Sequence, residues 1–256
     1  MKRPAATKQR GIKRGLRGVM LMELLIAVTL LSLLVAGVLM AMRVGVDALQ
    51  KTNSRFLANR RAMGAQRILE QQLAGMMVTQ ADCIASGGPA PTAKINFFQG
   101  EVQTMRFVSQ FSLADASRGM PQILEFQVIP GEEGRGVRLI VNEHPYTGPL
   151  GTGRFCLGLA PDPVAGIAIP RFVPVTTGPG SFVLADKLAS CRFIYKETLP
   201  DPPFERWVPR WVAAYMPAAI RVEMEPLEPD PSKIGLTSFT SPVFVRTRVP
   251  MGAYSD

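Results

Sequence analysis

Residues 17–25 read R-G-V-M-L-M-E-L-L, and they open an apolar run that continues to Met42. The run from Val19 to Met42 contains 24 residues, and Glu23 is the only charged one among them. Because a helix rises about 1.5 Å per residue, the run is long enough to cross a hydrocarbon core of about 30 Å. A charge in such a run costs about 2.5–3.5 kcal/mol at the bilayer centre and less near an end. The sequence therefore predicts a membrane span at residues 19–42 and a functional role for Glu23.

The positive charge of the chain is concentrated before this run. Of the 29 Lys and Arg residues, 7 lie in residues 1–18, which contain no Asp or Glu; the other 22 face 20 acidic residues in the rest of the chain. The net charge of +9 therefore belongs mostly to the leader, and it does not indicate a nucleic-acid-binding surface. A basic segment beside a span is retained in the cytoplasm. We expect residues 1–18 inside the cell and all residues after Met42 outside the cytoplasm.

Three interpretations of residues 1–42 compete. A secretory signal peptide has an apolar stretch of about 7–15 residues followed by small residues at the cut, whereas this run is longer and ends without an A-x-A site. A plain uncleaved anchor fits the length but gives Glu23 no role. In the third interpretation, a basic leader ends in Gly18, an apolar residue follows, and glutamate is the fifth residue counted from Val19.

This third pattern reads G-V-M-L-M-E-L-L-I-A-V-T-L-L, and it resembles the class III signal of type IV prepilins and type II secretion pseudopilins. The usual form begins G-F-T-L-x-E-L-L, so Val19, Met20 and Met22 depart from it. The resemblance implies cytoplasmic cleavage between Gly18 and Val19 by a prepilin peptidase, followed by N-methylation of Val19. It also implies that Glu23 pairs with the new amine of a neighbouring subunit during filament assembly, since unpaired charges are costly in lipid.

Beyond the span, the sequence predicts that the helix continues amphipathically through residues 19–80, ending near Val78. Its apolar positions recur at helical spacing: Leu49, Phe56, Met63, Leu69, Leu73 and Met76. We expect one apolar stripe of this outer half to pack on the domain that follows, and Met76 and Met77 to be ordinary core residues. Gly64 and Gly75 each weaken helix continuity by up to about 1 kcal/mol.

The sequence predicts a β-rich head at residues 81–256. We therefore expect an α+β fold, in which a long N-terminal helix packs on a C-terminal antiparallel sheet. Strand-like segments alternate with turns at 104–109, 122–129, 136–142, 181–184, 188–197, 218–225 and 243–249. Residues 130–134 read as a hairpin connection, and residues 220–225 alternate as a strand with one solvated face. Residues 148–180, rich in Pro and Gly, predict a long irregular insertion or surface loop.

Further segments make the resemblance more specific, because they are similar to segments of the J family of minor pseudopilins of the type II secretion system. The similar segments are, in chain order, the helix end 66–73, the strand 188–195, the segment bearing Trp207 and Trp211, residues 216–222 and the last strand 244–250. Gln72 stands where the helix motif has an acidic residue. The resemblance implies a pseudopilin fold at the tip of a periplasmic filament. The implied partners are the I and K minor pseudopilins, the major pseudopilin, the prepilin peptidase and the inner-membrane assembly platform.

Nothing in the sequence predicts an enzyme or a cofactor. His144 is the single histidine, interpreted as a solvated loop residue, and no nucleophile, phosphate-binding or metal-spaced motif accompanies it. Glu132 and Glu133 are interpreted as a charged turn. The two tryptophans form either a partner-facing patch or part of the core. The three cysteines, Cys83, Cys156 and Cys191, allow one disulfide in an oxidising compartment, without indicating which two residues pair.

Two other functions stay open at this point. The same signal occurs in minor pilins of type IV pili, which serve adhesion or DNA uptake. Alternatively, residues 1–42 are only a tether for a periplasmic binding module or enzyme.

Overall fold

The computed structural model describes residues 16–84, 92–113, 118–163, 166–228 and 238–244. The first described element is a long helix, α1 (Leu16–Ala74). Contacts within the chain define two compact units, with the boundary after Phe56. From Leu21 to Gln50 every side chain of α1 is exposed, including the whole described part of the apolar run. By length and composition, this helix is able to cross a membrane once.

The helix ends earlier than the sequence predicts, at Ala74 rather than near Val78 or residue 80. Gly75 N–H still donates to Gln71 O at 2.9 Å, but Gly75 O accepts from Gln110 N–H at 2.9 Å. Gly75 has no room for a side chain, since a Cβ there would overlap the ring of Phe111. The chain thus leaves the helix at this glycine because its backbone is already hydrogen-bonded to a strand.

The apolar stripe of the outer helix is buried over a shorter length than expected. Leu49, Phe56 and Met63 are each more than half exposed. Among the described side chains of α1, the buried ones lie in the last turns, at Ala65, Leu69, Gln72 and Leu73. Heptad spacing alone does not distinguish an apolar face covered by the same chain from one left uncovered.

Within the described residues, thirteen strands, one further helix and a 3-10 turn follow α1. They are β1 (Met76–Met77), β2 (Gln80–Ile84), β3 (Thr92–Asn96), β4 (Gln99–Gly100), β5 (Thr104–Phe111), β6 (Arg118–Pro130), the turn Glu132–Gly134, β7 (Val137–Pro145), α2 (Pro149–Gly153), β8 (Cys156–Pro161), β9 (Ala168–Phe172), β10 (Phe182–Thr198), β11 (Glu205–Val208), β12 (Ala219–Pro226) and β13 (Phe239–Pro242).

The main sheet is antiparallel and runs β1-β5-β6-β7-β10-β12-β13, with β4 also on β5 and β11 also on β10. This confirms the predicted α+β class, a long N-terminal helix with a C-terminal antiparallel sheet. It confirms the hairpin connection too, because Pro130 pairs with Val137 across the turn. The last predicted strand differs: β13 precedes it, Val243 and Phe244 are outside any strand, and residues 245–249 lie outside the described residues.

One strand replaces two predicted ones at residues 181–197. The sequence Asp186-Lys187 suggests a turn, but β10 continues through it by two register shifts against β7, between Val183 and Ala185 and between Ala185 and Leu188. Lys187 adopts φ 54°, a left-handed conformation that accommodates the irregularity. Polar residues therefore mark a bulge here, rather than a strand end.

Both faces of the central part of the main sheet are covered by other parts of the chain. The end of α1 packs on one face, where Leu69, Leu73 and Met76 meet Phe107 and Phe126. The opposite face carries a second apolar cluster of Ala81, Phe97, Val108, Ile123 and Phe155. That second cluster joins the sheet to two small hairpins, β2–β3 and β8–β9.

The predicted irregular insertion at 148–180 is wrong in its middle, because α2, β8 and β9 lie there. β8 and β9 form a hairpin whose register shifts between Cys156 and Gly158, and Gly158 has φ 122°. A disulfide between Cys83 and Cys156, with Cα atoms 5.5 Å apart, ties this hairpin to β2. Pro161 and Pro170 made these strands look like a loop in the sequence, because proline is rare inside strands. Both prolines are tolerated here because proline is compatible with strands at a sheet edge.

Candidate functional site

The helix α1 contains Gly18, Val19 and Glu23. Side chains are described from Leu21 onward, and Glu23 is exposed. The two hydroxyl groups of the apolar run form hydrogen bonds within the helix: Thr29 Oγ1 donates to Ile26 O at 2.9 Å, and Ser32 Oγ donates to Val28 O at 2.7 Å. Among residues whose side chains are described, none bonds the Glu23 carboxylate.

The helical backbone fixes the spacing between the predicted cleavage point and Glu23. Val19 and Glu23 are four residues apart, about 6 Å along the axis, and residues with this spacing are neighbours on one helix face. A charged amine at Val19 would therefore lie close enough to pair with the carboxylate of the same chain or of a second helix. Gly18 has the poorest helix propensity next to proline, so local unwinding at this bond is inexpensive.

A second candidate site is a polar cluster around the fully buried Arg106. It lies on the face of the main sheet that the β2–β3 and β8–β9 hairpins cover. Arg106 Nε donates to Glu125 Oε1 at 2.7 Å, one terminal amine donates to Gln99 Oε1 at 2.8 Å, and the other donates to Val173 O at 2.8 Å. The guanidinium carbon lies 5.3 Å from the ring centre of Phe155. Burial lowers the pKa of Arg106, while the charge of Glu125 and its hydrogen bond oppose that effect.

Asn142 and His144 extend this cluster along β7. Asn142 Nδ2 donates to Thr176 O at 2.9 Å, and Asn142 Oδ1 accepts from Ser181 Oγ at 2.7 Å. His144 Nε2 lies 3.0 Å from Glu125 Oε2. The predicted solvated loop histidine is thus wrong in its setting: His144 lies on a strand and contacts a buried carboxylate.

These contacts connect the sheet to the segment that follows the β8–β9 hairpin. Val173, Thr176 and Ser181 belong to that segment, and each bonds a side chain of β5 or β7. The charge of Arg106 is compensated by Glu125 at 2.6 Å, so the cluster holds the segment in place with its cation and anion paired. Within the described residues, no group of three or more metal-ligating side chains is assembled.

The sequence contains little that would identify this cluster. Arg106 lies between apolar residues in M-R-F-V-S, and alternation predicts a solvent-facing arginine on a half-buried strand. The strand is buried on both faces instead. Its partner Glu125 is opposite in the β5–β6 register, and Asn142 is opposite Glu125 in the β6–β7 register; single-sequence reasoning does not provide either register.

The two tryptophans differ in burial, and only Trp211 belongs to the core. Trp211 is buried, and its Nε1 donates to Tyr215 O at 2.6 Å. Its ring contacts Tyr195, whose pKa is raised well above the usual value by burial and secondarily by the charge of Glu101. Trp207 is only half-buried, with the guanidinium carbon of Arg221 4.1 Å from its ring centre.

Smaller predictions have clear outcomes. Gln72 is buried, and its Oε1 accepts from Ser109 Oγ at 2.6 Å, so the departure from the acidic motif residue provides a neutral acceptor inside the core.

Glu132 and Glu133 form an exposed turn, as expected, and Glu132 pairs with Arg138. Met76 is a core residue as predicted, although it begins a strand; Met77 is half-buried beside it.

The structure selects the cysteine pair that the sequence left open. Cys83 and Cys156 are joined, with 73 residues of sequence separation. Cys191 is a free thiol buried on β10, and burial raises its pKa to about 12. A thiol of that kind is protonated at neutral pH and unreactive.

Comparison with protein-family models and with curated protein sequences finds no match for this chain.

Proposed function

We propose that this protein is a non-enzymatic structural subunit of a secretion filament, a minor pseudopilin similar to the J type of the type II secretion system. The observation that carries the proposal is the pattern at the start of α1. There, a basic leader ends in Gly18, Val19 begins an apolar run within α1, and Glu23 is the single charge of that run.

Three features of the described chain support this proposal. The helix that contains the predicted cleavage point is able to cross a membrane by length and composition, and no described side chain bonds Glu23. A long N-terminal helix followed by an antiparallel sheet is the architecture that the resemblance implies. The Cys83–Cys156 disulfide suits an oxidising compartment such as the bacterial periplasm.

In the proposed topology, the protein is a single-pass inner-membrane protein with residues 1–18 in the cytoplasm and the sheet domain in the periplasm. A prepilin peptidase removes the leader after Gly18, and Val19 is N-methylated. The subunit then enters the tip of a short periplasmic filament with the I and K minor pseudopilins and the major pseudopilin. The inner-membrane platform extends the filament, which promotes export of folded proteins.

Pairing of charges drives the assembly step. A cationic amine on one helix and the Glu23 carboxylate on the next are both costly to leave unpaired in a membrane, so subunits that bring them together are favoured. Displacement of one helix along the filament axis brings the amine of a newly entering subunit to Glu23 of its neighbour.

Mass spectrometry of the mature N-terminus tests the proposal directly. The full chain is produced in a bacterium that has a prepilin peptidase, extracted from the membrane with detergent, and measured intact. We expect a chain that starts at methylated Val19. A Gly18→Val variant is the matched control, and it should retain its leader. A wild-type chain that still starts at Met1 would contradict any filament role and would favour a tethered binding module.

A second measurement separates a secretion filament from a type IV pilus, since both carry the same signal. The gene is deleted in the native bacterium, and secreted proteins and surface pili are quantified in parallel. A secretion filament predicts that exported proteins accumulate in the periplasm while pili stay normal. Loss of pili with normal secretion would assign the protein to a pilus instead.

A further inference from the structure

Among the described strands, β3 pairs only with β2, and the hydrogen-bond pattern shows which of its backbone groups face outward. Phe97 N–H donates to Thr79 O at 2.8 Å, one step beyond the pair Asn96–Gln80. Hydrogen-bonded pairs alternate with non-bonded ones in an antiparallel ladder. Ile95 and Ala93 are therefore bonded to β2, whereas the N–H and C=O groups of Lys94 and Asn96 point away from it.

The opposite edge of the same hairpin supports this assignment. Gln80 and Asp82 lie across from Asn96 and Lys94, so their carbonyl groups must point away from β3. Thr152 Oγ1 donates to Gln80 O at 3.1 Å, and Gly153 lies against Asp82 O. The β2 edge is thus covered by α2. Of the outward groups of β3, Asn96 O accepts from Phe98 N–H at 2.9 Å, and no described backbone group bonds Lys94 N–H, Lys94 O or Asn96 N–H.

These groups border a groove of about 330 Å³ between β3, β9 and residues 211–215. Its apolar lining includes Phe98, Ile169, Phe172, Trp211 and Tyr215. On the far side, Asp162 N–H donates to Ile167 O at 2.9 Å, and the same alternation leaves Ala168 and Pro170 facing outward from β9. Pro170 has no N–H, so the β9 edge is the poorer template and β3 is the better one.

The charge on the β3 edge defines the incoming strand further. Lys94 is exposed and forms no ion pair with a described carboxylate, although Asp82 lies across from it. An edge lysine opposes indiscriminate pairing and favours a strand that brings an acidic side chain to the same face. Neighbouring residues of that strand point to the opposite face, where Ile95 packs against the second apolar cluster.

We propose that the β3 edge binds an extended segment of a partner protein as an added antiparallel strand. In that segment an acidic residue lies opposite Lys94 and is flanked by two apolar residues. Backbone bonds to Lys94 N–H and C=O provide the affinity, and the alternation apolar-acidic-apolar provides the selectivity. This binding site is independent of the filament role proposed above and does not require it.

The probe is the synthetic peptide acetyl-Thr-Val-Asp-Val-Thr-amide, added to the full chain in detergent micelles. Selective ¹⁵N labelling of Lys and Ala reports hydrogen exchange at two adjacent amides of β3. We expect saturating peptide to slow exchange of the Lys94 amide at least tenfold, while the Ala93 amide, already bonded to β2, is unchanged. No slowing at millimolar peptide would overturn the proposal. Slowing that depends on protein concentration without peptide would assign the edge to a second copy of this chain, which also overturns it.

Two matched variants separate the backbone from the charge. Lys94→Pro removes the outward N–H without removing a bond to β2, and it should reduce peptide affinity at least tenfold. Lys94→Gln retains the N–H, and it should weaken the Asp peptide several-fold while leaving the Asn analogue unaffected. Equal binding by wild type and Lys94→Pro contradicts the proposal.

Peptide analogues keep the test decisive if Lys94→Pro does not fold. N-methylation of the Asp amide removes the donor that bonds Lys94 O and should abolish binding to the wild-type chain. N-methylation of one Val amide, which faces away from β3, should leave binding intact. Equal affinity of the two methylated peptides would contradict strand addition.

Discussion

Glu23 differs from the other polar residues of the apolar run because none of the described side chains of its own helix bonds it. Thr29 and Ser32 bond to carbonyl groups one turn earlier, so their cost in a membrane is small. A carboxylate has no such local solution, because helix carbonyl groups are acceptors as well. Any compensation for Glu23 therefore has to come from a donor or cation at the helix start or on another molecule.

Replacing Glu23 by alanine should leave cleavage after Gly18 intact but reduce assembled filament at least tenfold. The reason is that the new amine of a neighbouring subunit loses its counter-charge in the membrane. Cleavage is measured by N-terminal mass spectrometry, and assembly by sheared-filament yield. Glu70→Ala removes an exposed carboxylate elsewhere on α1 and should change neither measurement. Normal filament yield from Glu23→Ala would contradict charge pairing.

Arg106 presents the opposite situation, since its charge is buried and fully compensated. Arg106→Met should lower the free energy of unfolding by about 3–5 kcal/mol, because it leaves Glu125 buried without its cation. Urea unfolding followed by tryptophan fluorescence measures this loss. Arg192→Met breaks an exposed pair with Glu223 and should cost less than about 1 kcal/mol. Similar losses in both variants would show that Arg106 contributes no more than a surface pair.

At the scale of elements, the two glycines in and after the outer half of α1 have opposite roles. Gly64 has open space around its Cα, whereas a Cβ at Gly75 would overlap Phe111. We expect Gly64→Ala to stabilise the protein by about 0.5–1 kcal/mol through helix propensity. Gly75→Ala should destabilise it by about 1–3 kcal/mol through overpacking. Urea midpoints of the two variants should move in opposite directions; movement in the same direction would contradict this assignment.

The strands that sequence patterning predicted well are those with one dominant periodicity. Residues 220–225 alternate because one face of β12 is solvated, and the connection at 130–134 is marked by its own turn residues. The strand pair β8–β9 was not predictable, since Pro161, Gly158 and Pro170 give a loop-like composition. Its stability depends on the disulfide and on Phe155 and Phe172, which pack on Phe97 far away in the sequence.

The candidate sites divide in the same way. The prediction at Gly18, Val19 and Glu23 rests on a local pattern and needs no tertiary context. The Arg106 cluster and the β3 edge could not be predicted in this way, because each depends on strand register. Register determines that Glu125 lies opposite Arg106, and that the Lys94 backbone faces away from β2.

At the scale of the whole molecule, the disulfide and the free thiol are readily distinguished. The unreduced native chain should react with no maleimide, because Cys191 is buried and its pKa is raised to about 12. One thiol should react after denaturation, and three after denaturation with reduction. A folded-state pKa above the unfolded value means that protonated Cys191 contributes stability at neutral pH, and that this contribution is lost as pH rises toward 12. Two reactive thiols in the native chain would contradict the Cys83–Cys156 pairing.

Loss of the disulfide should also weaken the sheet domain. The variant carrying both Cys83→Ala and Cys156→Ala should lose about 2–4 kcal/mol of unfolding free energy, because the bond closes a long loop in the unfolded chain. Urea unfolding of this variant is compared with that of the reduced wild type. The two should agree within about 1 kcal/mol, and an unchanged midpoint in both would contradict a stabilising role.

Burial of β5 on both faces has a consequence for how the chain tolerates change. Met105 and Phe107 face the end of α1, while Arg106 and Val108 face the hairpin side, and all four are fully buried. In a saturation library scored for folded protein, β5 should be intolerant at consecutive positions. Residues 220–225 of β12 should instead alternate between permissive and restrictive sites. A map of tolerated substitutions would then outline the layers of this domain without any coordinates.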